Sequence, residues 1–322
     1  DNGNDDIMRK GHCLVTGGAG FIGSYLVEYL IAEGHSVTVI DNLSTGKIAN
    51  VAPEVDFIEL NLGHPHDLTS YLKDIEMVFH LAALPRVTES FETPIQYEVS
   101  NVRSTLYLLM AMIEAQNINL IVSSSSAIYG NPKQLPTPET APAAPLSPYA
   151  LQKFMSEQYA LIIGEQNGIN VKVLRQFNVY GPHSCDPKDS DNTSSSVINV
   201  FRHRKKCGQT IEVTGDGEQR RDFIHVNDCI DIMIWLYKKP KISGMFNVGT
   251  GKARTFLDLT KTIFKNLNKV KKINFINTPK DVLKHYQYYT KANMNKLKKN
   301  GYSKKLKTLE EGIKYYIKQQ NN

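Results

Sequence analysis

Near its start the chain runs Thr16-Gly17-Gly18-Ala19-Gly20-Phe21-Ile22-Gly23, directly after the apolar segment His12-Cys13-Leu14-Val15 and before Tyr25, Leu26, Tyr29 and Leu30 at helical spacing. A strand must end here, the backbone must turn, and a helix must begin, which is the first half of a βαβ unit. Glycine is needed where a Cβ would fill the turn or forbid its dihedrals. Glycines spaced G-x-x-G-x-x-G also let the backbone approach an anion lying on the helix N-terminus. A second strand pattern, Ser36-Val37-Thr38-Val39-Ile40, ends in Asp41, 18 residues after Gly23. A carboxylate there accepts hydrogen bonds from a ribose 2′-hydroxyl and repels a 2′-phosphate, so the expectation is a dinucleotide site that takes NAD rather than NADP. Strand, helix and acid together favour this over a plain tight turn.

A second constellation lies in the middle of the chain. Tyr149 and Lys153, in Tyr149-Ala150-Leu151-Gln152-Lys153, follow Ser147-Pro148, which reads as a serine N-cap with proline at the first helical position. Four residues apart on a helix, the two side chains share a face. A phenol with a pKa of about 10 is a poor base at neutral pH, but a neighbouring ammonium and a nicotinamide cation favour the phenolate. Tyrosine then becomes a usable general base. An isolated Y-x-x-x-K is also what an ordinary exposed helix shows. This pair gains weight from Leu120-Ile121-Val122-Ser123-Ser124-Ser125-Ser126, an apolar strand that empties into hydroxyls about 25 residues upstream. In an open α/β sheet, ligands bind beyond the carboxyl ends of the strands, so those hydroxyls face the cofactor crevice.

Strand and helix patterns alternate up to about residue 176, which implies a doubly wound parallel α/β sheet of the Rossmann kind, with a smaller α/β substrate-binding lobe. The expected partition is a dinucleotide-binding domain over 8–176, to which 226–249 return as a helix and a strand, and a substrate lobe from 177–225 and 250–322. A chain of 322 residues suffices for two unequal lobes. No apolar run is long enough to span a bilayer, and the opening Asp1-Asn2-Gly3-Asn4-Asp5-Asp6 is the opposite of a signal peptide. A cytoplasmic protein with no membrane partner is expected. Cys13, Cys185, Cys207 and Cys229 are dispersed, which suits reduced thiols and offers no metal site. Residues 261–322 hold 16 lysines against Asp281, Glu310 and Glu311. The lysines are spread through helical patterns such as Leu257-Leu259-Ile263-Leu267 and Leu309-Ile313-Tyr316-Ile317, without interleaved arginine, so a solvated face is expected rather than a nucleic-acid surface.

Taken with these residues, the chain resembles the nucleotide-sugar epimerase and dehydratase branch of the extended short-chain dehydrogenase/reductase family, from Cys13 to about Ile317. The resemblance implies a catalytic Ser125, four before Tyr129 in Ser126-Ala127-Ile128-Tyr129-Gly130, acting with Tyr149 and Lys153, and a Ser126 that touches the sugar. It implies a cofactor site made by Gly17, Gly20, Phe21, Ile22 and Gly23, and by an adenosine-ribose loop of Asp41, Asn42, Ser44, Thr45 and Gly46. Asn61 and Leu62 belong to it where the family often has an acid, as do Leu81, Ala82 and Ala83 in His80-Leu81-Ala82-Ala83, and Asn101, Ser123, Tyr149 and Lys153. On the substrate side it implies Asn178 of Asn178-Val179-Tyr180-Gly181-Pro182 and Arg221 of Arg221-Asp222-Phe223-Ile224-His225-Val226. The arginine's planar donors suit a diphosphate. Tyr286 and Thr290 complete the set, whereas Arg220 reads as a surface charge.

Departures narrow the activity. The Asp-Glu pair that dehydratases carry after the catalytic hydroxyl is replaced by Ser126 and Ala127, which argues against dehydration. Up to about residue 225 the chain is most similar to UDP-hexose and UDP-N-acetylhexosamine 4-epimerases. From Ser243 onward, especially in Pro279-Lys280-Asp281 and His285-Tyr286-Gln287-Tyr288-Tyr289-Thr290-Lys291-Ala292-Asn293, it is more similar to ADP-glycero-manno-heptose 6-epimerases. The expectation is an NAD-dependent epimerase that inverts C4 of a nucleotide sugar through a keto intermediate. The alternatives are 6-epimerisation of a heptose, a reductase or decarboxylase on the same scaffold, and a non-catalytic dinucleotide-binding regulator. Thr290 implies room for an N-acetyl group. The helical stretches 94–116 and 148–166 carry more apolar positions than one sheet face needs, and the resemblance implies that they pair across a homodimer as a four-helix bundle.

Overall fold

The computed structural model describes residues 10–182, 198, 201, 210–267, 273–277, 284 and 286–319; Cys185, Cys207, Pro279, Lys280, Asp281 and His285 lie outside the described residues. The chain divides into two compact units. The first takes the chain up to Ser124 together with Pro148–Leu174 and Ile230–Phe246. The second takes Ser125–Ser147, Arg175–Cys229 and the chain from Asn247 on.

The first unit is built on one sheet. Its strands are β1 (His12–Thr16), β2 (Ser36–Asp41), β3 (Asp56–Glu59), β4 (Met77–His80), β5 (Asn119–Ser125), β6 (Asn170–Gln176) and a final strand, Gly244–Val248. They lie in the order β3-β2-β1-β4-β5-β6 with Gly244–Val248 outermost. β1 pairs in parallel with β2 and with β4, placing Val15 between Val39 and Phe79, while β2 pairs with β3 and β4 with β5 in the same sense. The order reverses between β1 and β4, the switch point at which a doubly wound α/β sheet leaves a crevice outside its carboxyl ends. This is the fold class expected from the alternating patterns.

The inner strands are buried almost throughout, as a sheet covered on both faces requires, whereas the edge strand β3 is half-buried at Phe57 and Ile58 and exposed at Asp56 and Glu59. Leu14, Ile40, Val78, Val122 and Val173, one from each of five strands, share a core with Leu108 and Met112. Each such side chain contributes about 1.5–3 kcal/mol through burial. The helices are α1 (Phe21–Ala32), α2 (Val87–Glu92), α3 (Pro94–Glu98), α4 (Ser104–Glu114) and α5 (Pro148–Gln166). Between α3 and α4 the helical run passes through a π turn, Val99–Arg103. That turn carries Asn101, which is buried. Its Oδ1 accepts from Leu84 N at 2.7 Å, and its Nδ2 donates to Leu84 O at 3.1 Å and to Gln152 Oε1 at 3.3 Å.

In the second unit Val179–Tyr180 pairs with Ile224–His225 and Ile211–Thr214 with Ile273–Ile276, both parallel, and Arg220–Asp222 pairs antiparallel with Ala253–Thr255. Helices Phe256–Leu267 and Leu309–Gln319 bury Leu259, Ile263, Ile313 and Tyr316 in one core with Tyr180, Ile211 and Phe223. The stretch expected to form a helix and a strand does so as Val226–Tyr237 and Gly244–Val248. No helix among the described residues is long and apolar enough to cross a membrane.

Candidate active site

β1 passes into α1 through a turn in which each glycine meets a different constraint. Gly17 has φ +73°, and a Cβ there would stand 2.7 Å from Ala82 N. The Leu81–Ala82 segment is held against it by Leu81 N donating to Thr16 O at 3.1 Å and Ala82 N donating to Thr16 Oγ1 at 3.2 Å. A Cβ on Gly23 would run into Gly17 O, whereas one on Gly20 meets only Gly17 O, at 3.2 Å. Gly17 therefore makes the turn, Gly23 lets the helix close onto it, and Gly20 leaves one side of the loop open. Gly20 is the N-cap of α1, and neither a side-chain cap nor an acidic residue occupies the first turn. The leading N–H groups, with Phe21 and Ile22 behind them, present the positive end of the helix to an anion.

β2 ends at Asp41, whose carboxylate is buried. Its Oδ2 accepts from Ala19 N at 3.0 Å and its Oδ1 from Leu43 N at 2.8 Å. Burial raises its pKa, and these N–H groups pull it back down. The loop that follows folds over the glycine turn. Lys47 N and Asn50 Nδ2 donate to Ala19 O at 3.1 and 3.0 Å, and a Cβ on Gly46 would lie 2.8 Å from Ala19 C. Asn42 Oδ1 accepts from Ser44 N and Asn61 Oδ1 from Gly63 N, so both amides shape local turns. Asn42, Ser44 and Asn61 line a cavity of about 330 Å³ with His64, Leu84 and Ser100. Thr45 is exposed, and Leu62 is buried in the core. An uncapped helix N-terminus, a carboxylate beside it and an adjoining cavity fit the pyrophosphate, ribose and base of a dinucleotide.

At the end of β4, His80 lies between Thr16 Oγ1 at 2.8 Å and Thr105 Oγ1 at 2.9 Å. Burial, with the charge of Lys153, holds its pKa at about 3, so it is a neutral bridge. α5 carries Lys153, 7 % exposed, on the face it shares with the half-buried Tyr149, whose N donates to Ser90 Oγ at 3.1 Å. Burial lowers the Lys153 amine to about 8, against the opposing pull of Glu157. On β5, Ser123 is buried and Ser124 Oγ donates to Glu157 Oε2 at 2.8 Å.

In the second unit Ser125 is half-buried and caps the short turn Ser126–Tyr129, its Oγ accepting from Ala127 N at 3.1 Å; Ser126 is buried. Arg221 is buried, its Nη1 donating to Arg220 O at 2.9 Å and Tyr288 O at 3.1 Å. Its guanidinium lies 5.1 Å from the centre of the Tyr286 ring and 5.7 Å from that of Phe256, and burial lowers its pKa. Arg221 and Tyr286 are thus brought together. Thr290 is 3 % exposed, its N donating to Arg220 O at 3.1 Å, and its Oγ1 has no hydrogen-bond partner among the described residues. A buried hydroxyl left unpaired costs about 1–3 kcal/mol. Asn178 keeps its side chain exposed, and Arg220 is exposed over the Tyr289 ring at 5.7 Å.

Two acids escaped the sequence reading. Asp222 is fully buried and accepts from Thr250 N, Thr250 Oγ1, Gly251 N and Ala292 N at 2.6–3.0 Å, which pins the segment leading away from Thr290. The signal was an acid directly after Arg221 in a strand. Glu157 sits four residues beyond Lys153, the spacing that already linked Tyr149 to Lys153.

The model of the NAD dependent epimerase/dehydratase family matches residues 13–249, and the chain belongs to that family as an NAD-dependent enzyme of the epimerase type. It is 34% identical over 279 residues to the UDP-glucose 4-epimerase of Lactobacillus helveticus, covering 83% of this chain and 82% of that protein. It is 33% identical over 319 residues to the ADP-L-glycero-D-manno-heptose-6-epimerase of Alkalilimnicola ehrlichii, covering 94% and 96%. Among solved structures, the UDP-N-acetylglucosamine 4-epimerase of Methanobrevibacter ruminantium M1, in complex with UDP-N-acetylmuramic acid, superposes with a TM-score of 0.88 at 33% identity, covering 97% of this chain and 100% of that one.

Proposed function

We propose that this enzyme inverts C4 of a UDP-hexose or UDP-N-acetylhexosamine through a keto sugar. The observation that carries the reading is Lys153, a lysine 7 % exposed on the helix face it shares with Tyr149. We assign dinucleotide binding to the first unit and the sugar nucleotide to the second. NAD, when bound, supplies the acceptor and donor of hydride. The glycine turn and the start of α1 hold its pyrophosphate, Asp41 its adenosine ribose, and the cavity of Asn42, Ser44 and Asn61 its adenine. Tyr149 Oη takes the proton of the C4 hydroxyl and later returns it, Lys153 favours the phenolate by its charge, and Ser125 shares the hydrogen bond. Arg221 takes the diphosphate with Asn178 and Tyr286, and Ser126 and Thr290 line the sugar.

The extent of the match to a heptose epimerase, 94% of this chain, favours 6-epimerisation of an ADP-heptose as the second reading. Incubation with UDP-, ADP-, GDP- and CDP-sugars, followed by proton NMR of the products, decides between them. C4 inversion of a UDP-sugar is expected. Conversion of an ADP-heptose alone selects the second reading, and stoichiometric consumption of added NADH makes the protein a reductase.

The same reading includes a cytoplasmic homodimer. Leu151, Tyr159 and Ile162 on α5 are 47 %, 37 % and 64 % exposed, and Met110 on α4 is 50 % exposed, an apolar surface that the same helices of a second copy would cover. Cys13 and Cys229 are buried free thiols, in keeping with a reducing compartment.

A further inference from the structure

One buried carboxylate of the first unit has no part in the chemistry above. Glu157 is 0 % exposed on α5, one turn beyond Lys153 and two beyond Tyr149, so the three side chains form one stripe of the helix. A carboxylate in such a place is costly unless it is hydrogen-bonded and balanced by charge. Glu157 has both, with Ser124 Oγ at 2.8 Å and a lysine on its own face. We propose that Glu157 is a positioning residue for the reaction: it fastens the serine-bearing end of β5 to α5 and supplies the negative charge that keeps Lys153 an ammonium in a buried site. This rests on the roles given to Tyr149 and Lys153 above.

Two effects meet at Lys153. Burial favours the neutral amine and lowers its pKa to about 8, while Glu157 acts in the opposite direction. Without the carboxylate the amine loses its proton at lower pH, and a neutral amine gives a phenolate no support. The charged and titratable groups on the surrounding elements are His80 of β4, Glu89 and Glu92 of α2, Tyr97 and Glu98 of α3, Arg103 of the π turn, Tyr107 and Glu114 of α4, and Lys172 and Arg175 of β6, the last donating to Glu139 O at 3.2 Å. His80 is neutral. Glu89 is bound by Arg86 at 2.5 Å and by Tyr97 Oη at 3.0 Å, and Glu98 by Arg103 at 3.0 Å. Lys172 is shifted by burial alone. Of the acids named, Glu157 is the one whose charge opposes burial at Lys153.

Two variants separate the two tasks. Glu157→Gln keeps the shape of the side chain and an oxygen to accept from Ser124 while removing the charge; Ser124→Ala keeps the charge and removes the hydrogen bond. Two readouts are followed: the titration of Lys153 by NMR of protein carrying 13C-labelled lysine, assigned with Lys153→Arg, and the pH profile of kcat on the sugar nucleotide that the panel identifies. In Glu157→Gln the lysine titration and the alkaline limb of kcat are both expected to move down by about 1–2 pH units, the effect of removing an opposite charge at this range. In Ser124→Ala the limb stays in place. An unmoved Lys153 in Glu157→Gln overturns the proposal, and so does a moved lysine with an unmoved kcat limb. If Glu157→Gln fails to fold, Glu157→Asp withdraws the carboxylate by one methylene, and both readouts should move down by less; an unmoved limb there overturns the proposal as well. Absence of wild-type turnover on every sugar nucleotide counts against the epimerase reading alone, because the lysine titration still shows whether Glu157 holds the charge.

Discussion

Alanine at each glycine of the turn after β1 separates a cofactor-binding role from a packing role. At Gly23 the new Cβ runs into Gly17 O and lies 2.8 Å from Gly17 C and Gly18 Cα, all backbone atoms that no rotamer change relieves. Overpacking of this kind costs about 1–3 kcal/mol, against about 1 kcal/mol recovered when a helical glycine becomes alanine. The net loss is up to about 2 kcal/mol, and at about 2.1 cal/mol/K of unfolding entropy per residue a chain of this length loses about 1.5 °C in Tm for each kcal/mol. At Gly20 the nearest atom is Gly17 O at 3.2 Å, so Gly20→Ala costs no more than about 1 kcal/mol, the scale of an N-cap substitution. Its methyl group, however, lies on the open side of the loop, where the proposed site holds the pyrophosphate of NAD. A clash of about 1–3 kcal/mol there weakens NAD binding about 5- to 150-fold. Thermal unfolding of NAD-stripped protein and calorimetric titration with NAD measure the two quantities separately. Gly20→Ala should lose affinity while keeping its Tm, and Gly23→Ala should lose Tm. A folded Gly20→Ala that binds NAD as tightly as wild type refutes the placement of the pyrophosphate.

Four further outcomes are expected. Tyr149→Phe keeps NAD bound and loses turnover by a factor on the order of 10² to 10⁴, measured on the identified sugar nucleotide; near-normal turnover removes Tyr149 from the mechanism. Asp41→Ala binds NADP as readily as NAD by calorimetry, and unfolds more easily by about 1–3 kcal/mol because Ala19 N and Leu43 N lose their acceptor. Thr290→Tyr cuts turnover of UDP-N-acetylhexosamine about 5- to 150-fold while sparing UDP-glucose, whereas Thr290→Val raises Tm because the unpaired Oγ1 is gone. Lys172, fully buried with no hydrogen-bond partner for Nζ among the described residues, has its pKa lowered to about 8. The unfolded chain therefore binds more protons than the folded one between about pH 8 and 10.4, and this residue's penalty is complete below that window and fades as pH rises through it. Lys172→Met should stabilise the protein at pH 7 by about 1–3 kcal/mol in denaturant titrations, with the gain vanishing by pH 11.

What was legible in the sequence was local. The turn around Gly17, Gly20 and Gly23, the acid ending β2 and the Tyr149–Lys153 pair each announce themselves within a few residues, because strand and helix periods and turn chemistry act over that range. The partners that complete them do not. Asp41 reaches Ala19 across 22 residues, Glu157 reaches Ser124 across 33, and Asp222 gathers Ala292 across 70. Such pairs exist only once the sheet has closed, and spacing carries no trace of them. Thr290 illustrates the limit well: its small side chain was readable, but its buried, unpaired hydroxyl was not. The stretch read as one helix over 94–116 holds a π turn, because a one-residue irregularity leaves the average period of a run that long almost unchanged.

That π turn has a consequence for how this protein can change over time. It is what remains after a single residue has been inserted into an α-helix, and each residue advances a helix by about 100°. The widened turn takes up the extra residue, so α3 and α4 keep their faces on either side of it, with Asn101 held inward at the insertion and Met110 turned outward beyond it. Deleting one residue between Val99 and Arg103 would restore an unbroken helix and its hydrogen bonds, yet it would withdraw the bulge that carries the Asn101 amide to Leu84. Substitutions here perturb one contact at a time, whereas a change in residue count removes the turn itself. Lineages of this enzyme should thus vary the letters of this segment while holding its length constant.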